Sequence, residues 1–105
     1  MSAIPVVIEH KAQRHIELLR EHASALAHDY HVASLALFGS YARNTPRLDS
    51  DLDVLVTFSE SPTLPRFIQL EDYLSQLLAI KVDLVPEHSL KPYIAENIQS
   101  DIIRI

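Results

Sequence analysis

The sequence has no cysteine and only one glycine, Gly39, in 105 residues. Without cysteine there can be no disulfide, thiolate zinc site or cysteine nucleophile, a composition suited to a reducing compartment. The glycine shortage is more pointed, since average usage of roughly 7 % would supply about seven in a chain of this length. Position 39 is therefore conspicuous before any motif is considered. Long hydrophobic runs are also missing: no stretch approaches the ~18 to 20 apolar residues of a membrane span. The segment from Ile4 to Ile8 is too short for a signal peptide and lacks its basic leader, so a cytoplasmic protein is expected. Positive charge is scarce as well. Nine Lys and Arg against 14 Asp and Glu leave a formal charge of −5, which argues against general nucleic-acid binding, where affinity comes from clustered cations.

What remains is the composition of an ordinary folded domain, with 48 % hydrophobic and 22 % charged residues. Its length suits one core and no separate substrate domain, so a single domain over residues 1–105 is expected. From Ile8 to Tyr30, the residues Ile8, Ala12, Ile16, Leu19, Ala23, Leu26 and Tyr30 recur in steps that put one stripe on a helix. Ala33 to Phe38 is a short apolar run ending at Gly39, which reads as a strand buried on both faces. Ser40 to Arg43 makes a turn of helix, and Asn44 to Asp49 a loop. Asp51 to Phe58 alternates as a second strand, with Asp51, Asp53, Leu55 and Thr57 on one face and Leu52, Val54, Val56 and Phe58 on the other.

A second long helix follows to about Ala79, with Leu64, Phe67, Ile68, Leu74, Leu77 and Leu78 as its core stripe. Leu70, Tyr73, Leu77 and Ile80 form a second apolar line, read either as a widened core stripe or as a partner surface. Lys81 to Val85 is β-rich and gives a third strand. Ser89 then caps a last helix carrying Leu90, Ile94, Ile98 and Ile102, with Pro92 in its first turn. The final DIIRI either extends that helix or adds an edge strand. The expected fold class is α/β (α+β), a small mixed sheet of about three strands flanked by about four helices.

The chemistry concentrates between Leu37 and Val56. Gly39 lacks a Cβ and lets a ligand approach the backbone, the helix start behind it favours an anionic phosphate, and Ser40 adds a hydroxyl. Asp51 and Asp53 alternate on a strand and project to one face with Cα atoms about 6.5 to 7 Å apart. Like charges this close invite a divalent cation that can bridge carboxylates to substrate phosphates. Asp83, an acid inside an apolar strand, fits as a third metal ligand. Arg43 is placed for a phosphate contact or a surface salt bridge. Asp49 reads as a turn or capping residue, and Tyr41 as packing or helix-turn surface. His10, His15, His22, His28, His31 and His88 form no zinc set: His28 and His31 are three apart with no third ligand, and the histidines of the first helix read as a solvated face.

The spacing of Gly39-Ser40, Asp51-x-Asp53 and the later strand aspartate Asp83 resembles the signature of the DNA polymerase beta-like nucleotidyltransferase superfamily, in particular its minimal nucleotidyltransferase (MNT) domains. The resemblance covers nearly the whole chain. It departs at Asn44, where the family commonly has glycine; Asn adopts left-handed backbone more readily than most residues. The resemblance implies that Gly39 and Ser40 contact nucleotide phosphates, and Arg43 is the further candidate for nucleotide binding. It also implies that Asp51, Asp53 and Asp83 are catalytic and bind one or two Mg²⁺, with ATP as substrate and AMP moved to an acceptor hydroxyl.

Stand-alone MNT proteins are typically encoded beside a helical HEPN-domain ribonuclease toxin. The implied role is thus an antitoxin that AMPylates such a partner on tyrosine, within a hetero-oligomer. Two other readings stay open: a non-catalytic module that neutralises its partner by docking, and a small-molecule nucleotidyltransferase of the antibiotic-modifying kind.

Overall fold

The structure is a computed structural model that describes residues 10–90 and 101–105. Its elements run α1 (Gln13–Tyr30), β1 (Val32–Phe38), α2 (Gly39–Ala42), β2 (Leu52–Phe58), α3 (Leu64–Leu78), β3 (Val82–Pro86) and β4 (Ile103–Arg104), with a short 3₁₀ turn at Glu87–Ser89. The sheet order is β3-β2-β1-β4. β1 pairs antiparallel with β2 and with β4, and β2 pairs parallel with β3. The sheet is therefore mixed, as expected, with four strands rather than about three. The fourth resolves the open question at the C-terminus: Ile103 and Arg104 pair with Leu37 and Ala36, and the Ile105 N–H donates to the Leu35 carbonyl at 3.0 Å.

One face of the sheet closes on the two long helices. Leu35 and Leu37 of β1, Leu52, Val54 and Val56 of β2, and Val82 and Leu84 of β3 join Ile16, Leu19 and Leu26 of α1 and Leu70, Leu74 and Leu78 of α3 in one buried cluster. The alternate strand positions therefore point away from these helices. Ala36 and Leu55 pair in register there, and Ser34 and Thr57 join their hydroxyls across the strands. Leu55 is nonetheless buried, so β2 is covered on both faces at its centre. The start of β1 is more open than expected, with Ala33 and Ser34 exposed beside an irregularity in the β1–β2 register.

Several expected boundaries and stripes shift. α1 begins at Gln13, and Ala23 of its stripe is exposed. On α3 the buried line is Leu70, Leu74 and Leu78, whereas Leu64 and Ile68 stand exposed and Tyr73 stacks against Tyr30 of α1 with ring centroids 5.7 Å apart. Leu70 thus belongs to the core line and not to the second one. Ile68 lies about 200° around the helix from Leu70 and so faces away from the core line, and Leu64 opens the first turn, where the Thr63 hydroxyl caps the Arg66 N–H and Pro65 follows. The Ser89 hydroxyl donates to the Pro86 carbonyl and closes the 3₁₀ turn. The helix expected behind Ser89 lies mostly in residues 91–100, outside the described residues.

The glycine shortage leaves a structural mark. His31, Asn44 and Ala79 all hold left-handed backbone, with φ of 57°, 59° and 53°. His31 and Ala79 terminate α1 and α3, positions that glycine commonly fills. A Cβ costs about 1 to 2 kcal/mol in this conformation. Ala79→Gly is therefore expected to stabilise the fold by roughly 0.5 to 1 kcal/mol, net of the glycine's greater unfolded-state entropy, as read by urea denaturation. Leu74→Ala, at a fully buried site on the same helix, is expected to cost about 2 to 5 kcal/mol in the same assay.

Candidate active site

The sheet face turned away from α1 and α3 carries the acids. In the parallel pair Asp53 stands opposite Asp83, and in the antiparallel pair it stands opposite Phe38, the residue before Gly39. Strands lie about 4.8 Å apart, so the register alone makes Asp53 the neighbour of both the Gly39 turn and Asp83. Asp51 lies one residue ahead of β2, and its Oδ2 is 3.7 Å from Lys81 Nζ at the start of the adjoining strand. Asp53 is half-buried and Asp83 exposed. The structure thus gathers Asp51, Asp53 and Asp83 at one end of the sheet, beside Gly39 and Ser40.

Gly39 has φ +72°, and a Cβ there would collide with the Asp53 carboxylate, lying only 3.1 Å from its Cγ. Backbone handedness and the close approach of the Asp53 side chain both favour glycine. The left-handed turn folds the chain from β1 into α2, whose Arg43 N–H returns to the Gly39 carbonyl at 3.1 Å. Asn44 then takes a left-handed conformation of its own, so the position where the chain departs from the usual glycine keeps that backbone form. Its side chain also accepts the Lys11 N–H at 2.9 Å, tying the turn to the approach of α1.

Asp83 is positioned by α3. β3 is a sheet edge, and its outward N–H groups are met by side chains: Val82 donates to Ser75 Oγ at 3.0 Å and Leu84 to Glu71 Oε2 at 2.9 Å. The two bonds bracket Asp83 and fix the strand that carries it.

The electrostatics follow from this crowding. Burial pushes the Asp53 carboxyl above the usual aspartate range, the charges of Asp83 and Asp51 push it further, and Arg43 pulls it back. Arg43 is exposed and among the described residues forms no ion pair. A hard divalent cation would relieve the repulsion, and carboxylate oxygens are the donors it prefers. Among the described residues no three His, Cys, Asp or Glu side chains close around a common point.

Asp49 is exposed in the loop before β2, beside a turn in which Ser50 Oγ accepts the Arg47 N–H at 2.7 Å. Tyr41 packs edge-on against His15 with centroids 5.5 Å apart. His15 is the residue that sequence reasoning misplaced: it flanks Ile16 on the buried side of α1, its Nδ1 is buried without a partner, and burial lowers its pKa. His28 and His31 pair instead with Asp29 and Glu60.

Two consequences can be measured. Because the folded state holds the Asp53 proton more tightly than the unfolded chain, ionisation of Asp53 opposes folding, and its contribution to stability is lost as pH rises through the raised value. Asp53→Asn is expected to raise the metal-free melting temperature at pH 7 by a few degrees, with the gap closing towards pH 3. Gly39→Ala is expected to lower stability by about 1 to 3 kcal/mol through the strained φ and the displaced carboxylate, as read by denaturant unfolding.

Comparison with known proteins agrees with this arrangement. Residues 19–105 match the family model described as a nucleotidyltransferase domain. The chain is 50 % identical over 90 residues to a candidate protein adenylyltransferase of Methanocaldococcus jannaschii, covering 85 % of this chain and 92 % of that protein. It is 41 % identical over 88 residues to the protein adenylyltransferase MntA of Thermococcus cleftensis, covering 84 % and 89 % respectively. Among solved structures, one described as a candidate minimal nucleotidyltransferase superposes with a TM-score of 0.73 at 34 % identity, over 92 % of this chain and 99 % of that one. A chain from the complex of a tri-AMPylated Shewanella oneidensis HEPN toxin with its MNT antitoxin shares the fold, with a TM-score of 0.55 at 22 % identity over 88 % of this chain and 66 % of that one. A left-handed glycine turn set against paired strand carboxylates, in a chain whose sequence and fold match over most of its length, places this protein in the nucleotidyltransferase domain family, as an enzyme of the minimal type.

Proposed function

We propose that residues 1–105 act as a single-domain, Mg²⁺-dependent protein adenylyltransferase in the cytoplasm. In this reading it moves AMP from ATP to a tyrosine hydroxyl of a partner protein. The partner is a HEPN-type toxin held in a hetero-oligomer, which makes the chain an antitoxin. The observation that carries the reading is the Asp53–Asp83 strand pair set against the Gly39 turn, in a family member whose relatives include proteins named as protein adenylyltransferases. The HEPN partner is supported by the Shewanella complex, in which the toxin bears AMP groups and a chain of the same fold is present. No helix among the described residues is long and apolar enough to cross a membrane.

In the proposed reaction the main-chain N–H groups at Gly39 and Ser40, the Ser40 hydroxyl and Arg43 hold the triphosphate. Asp51, Asp53 and Asp83 hold one or two Mg²⁺, which when bound neutralise phosphate charge and orient the leaving group. The acceptor oxygen attacks the α-phosphorus, a new P–O bond forms, and the bond to the β-phosphate breaks. Pyrophosphate departs with the electron pair, and the hydroxyl proton passes to Asp83. Lys81 lies beside Asp51 in a solvent-exposed ion pair.

The test is incubation with ATP labelled on the α-phosphate, Mg²⁺ and a lysate of the source cells, beside γ-labelled ATP and an Asp51→Asn/Asp53→Asn variant. The expected result is α-label on one protein band, absent with γ-label and reduced about a hundredfold or more in the variant, since metal-held charge stabilisation is worth several kcal/mol. Protection of the partner that survives in a variant unable to label it would overturn transfer in favour of docking.

A further inference from the structure

A cavity lies beside α2, and Asp51, Asp53 and Asp83 are not among the residues that line it. Gly39 faces Asp53, while Tyr41, two residues on and so nearly opposite around the helical turn, faces His15 of α1. Between α1 and the loop after α2 is an open cavity of about 510 Å³, lined by Lys11, His15, Tyr41, Pro46, Arg47 and Leu48. Its walls are tied together: the Lys11 N–H donates to Asn44 Oδ1 at 2.9 Å, and His10 Nε2 lies 3.3 Å from the Ala42 carbonyl oxygen.

Its charge is opposite to that of the chain as a whole. In a protein with 14 acidic and 9 basic residues, the lining holds a lysine and an arginine and no carboxylate. Among the described residues neither cation is ion-paired. His15 Nδ1 is the one buried side-chain nitrogen or oxygen among the described residues that lacks a hydrogen-bond partner, and a buried polar atom left unpaired is costly. Two cations unpaired among the described residues, an imidazole and an aromatic ring thus line a space of nucleotide size.

We propose that this cavity binds a phosphate-ester anion of nucleotide size, at a site separate from the catalytic carboxylates. Lys11 and Arg47 supply charge, and the ring of Tyr41 offers an apolar wall. The same chemistry is presented by a free nucleotide and by an acceptor that already carries AMP. The site stands independently of the transfer reading, because its occupancy can be read with no metal and no turnover.

In EDTA the Asp51, Asp53 and Asp83 face repels anions while the cavity still attracts them. The experiment follows the His15 ring signals by NMR in EDTA as 5′-AMP is added. A saturable shift is expected, retained in Asp51→Asn/Asp53→Asn and weakened about tenfold or more in Lys11→Gln/Arg47→Gln, with acetate at equal ionic strength producing none. Lys11 and Arg47 are exposed, so that variant is expected to keep the parent melting temperature. If its fold is nevertheless lost, Lys11→Met and Arg47→Met alone each carry the same expectation of weakened binding. An O-adenylyl-tyrosine arm separates the sources. Binding as tight as AMP assigns an adenylylated acceptor, weaker binding assigns the free nucleotide, and both support the site. His15 signals that stay still up to about 10 mM AMP, that move equally with acetate, or that respond unchanged in the charge-removed variants would overturn it.

Discussion

The contact between the Asp53 carboxylate and the main chain at Gly39 governs the geometry of this protein. The backbone at the end of β1 is left-handed there, a Cβ at position 39 would displace the Asp53 carboxylate, and burial together with the charges of Asp83 and Asp51 raises the proton affinity of Asp53. The contact exists because Phe38 and Asp53 are partners in the β1–β2 ladder. The sheet face closed by α1 and α3 holds that ladder in place, and the register in turn brings Asp83 alongside. Removing any of these elements would leave the carboxylates without the turn they face.

Holding three acids at one end of a sheet works against stability, and the structure offsets it locally. Lys81 meets Asp51, Arg43 lowers the proton affinity of Asp53, and the β3 edge is fastened through Glu71 and Ser75 so that Asp83 cannot swing away with a fraying strand. The remaining repulsion is what a bound cation would remove. A carboxyl group whose proton affinity is raised by burial and by like charges is a pattern that clusters at functional sites.

Much of this was legible in the residues. Period-two alternation in DLDVLVTF placed Asp51 and Asp53 on one face, and a lone glycine at the end of an apolar run marked the turn. What escaped depended on long-range contacts. β4 has only two residues, and its pairing with β1 lies more than 60 positions away, so no local period announces it. Leu64 and Ile68 stand exposed: Ile68 lies about 200° around the helix from Leu70, off the Leu70, Leu74 and Leu78 face, and Leu64 is the first residue of α3. The burial of His15 is set by Tyr41 on another element and has no signal within α1 itself. The left-handed backbone of His31 and Ala79 was equally hidden, since glycine, the usual marker, is missing there.

The central claim is that the turn and the strands hold Asp53 in a field of like charge that a divalent cation relieves. Carboxyl-carbon NMR of Asp53, titrated with acid in EDTA and again with Mg²⁺ and a non-hydrolysable ATP analogue, tests it most directly. The account predicts titration above the ordinary aspartate range without metal and a fall below that range when the cation and nucleotide are bound. An Asp53 carboxyl that titrates in the ordinary range and does not respond to Mg²⁺ would contradict it.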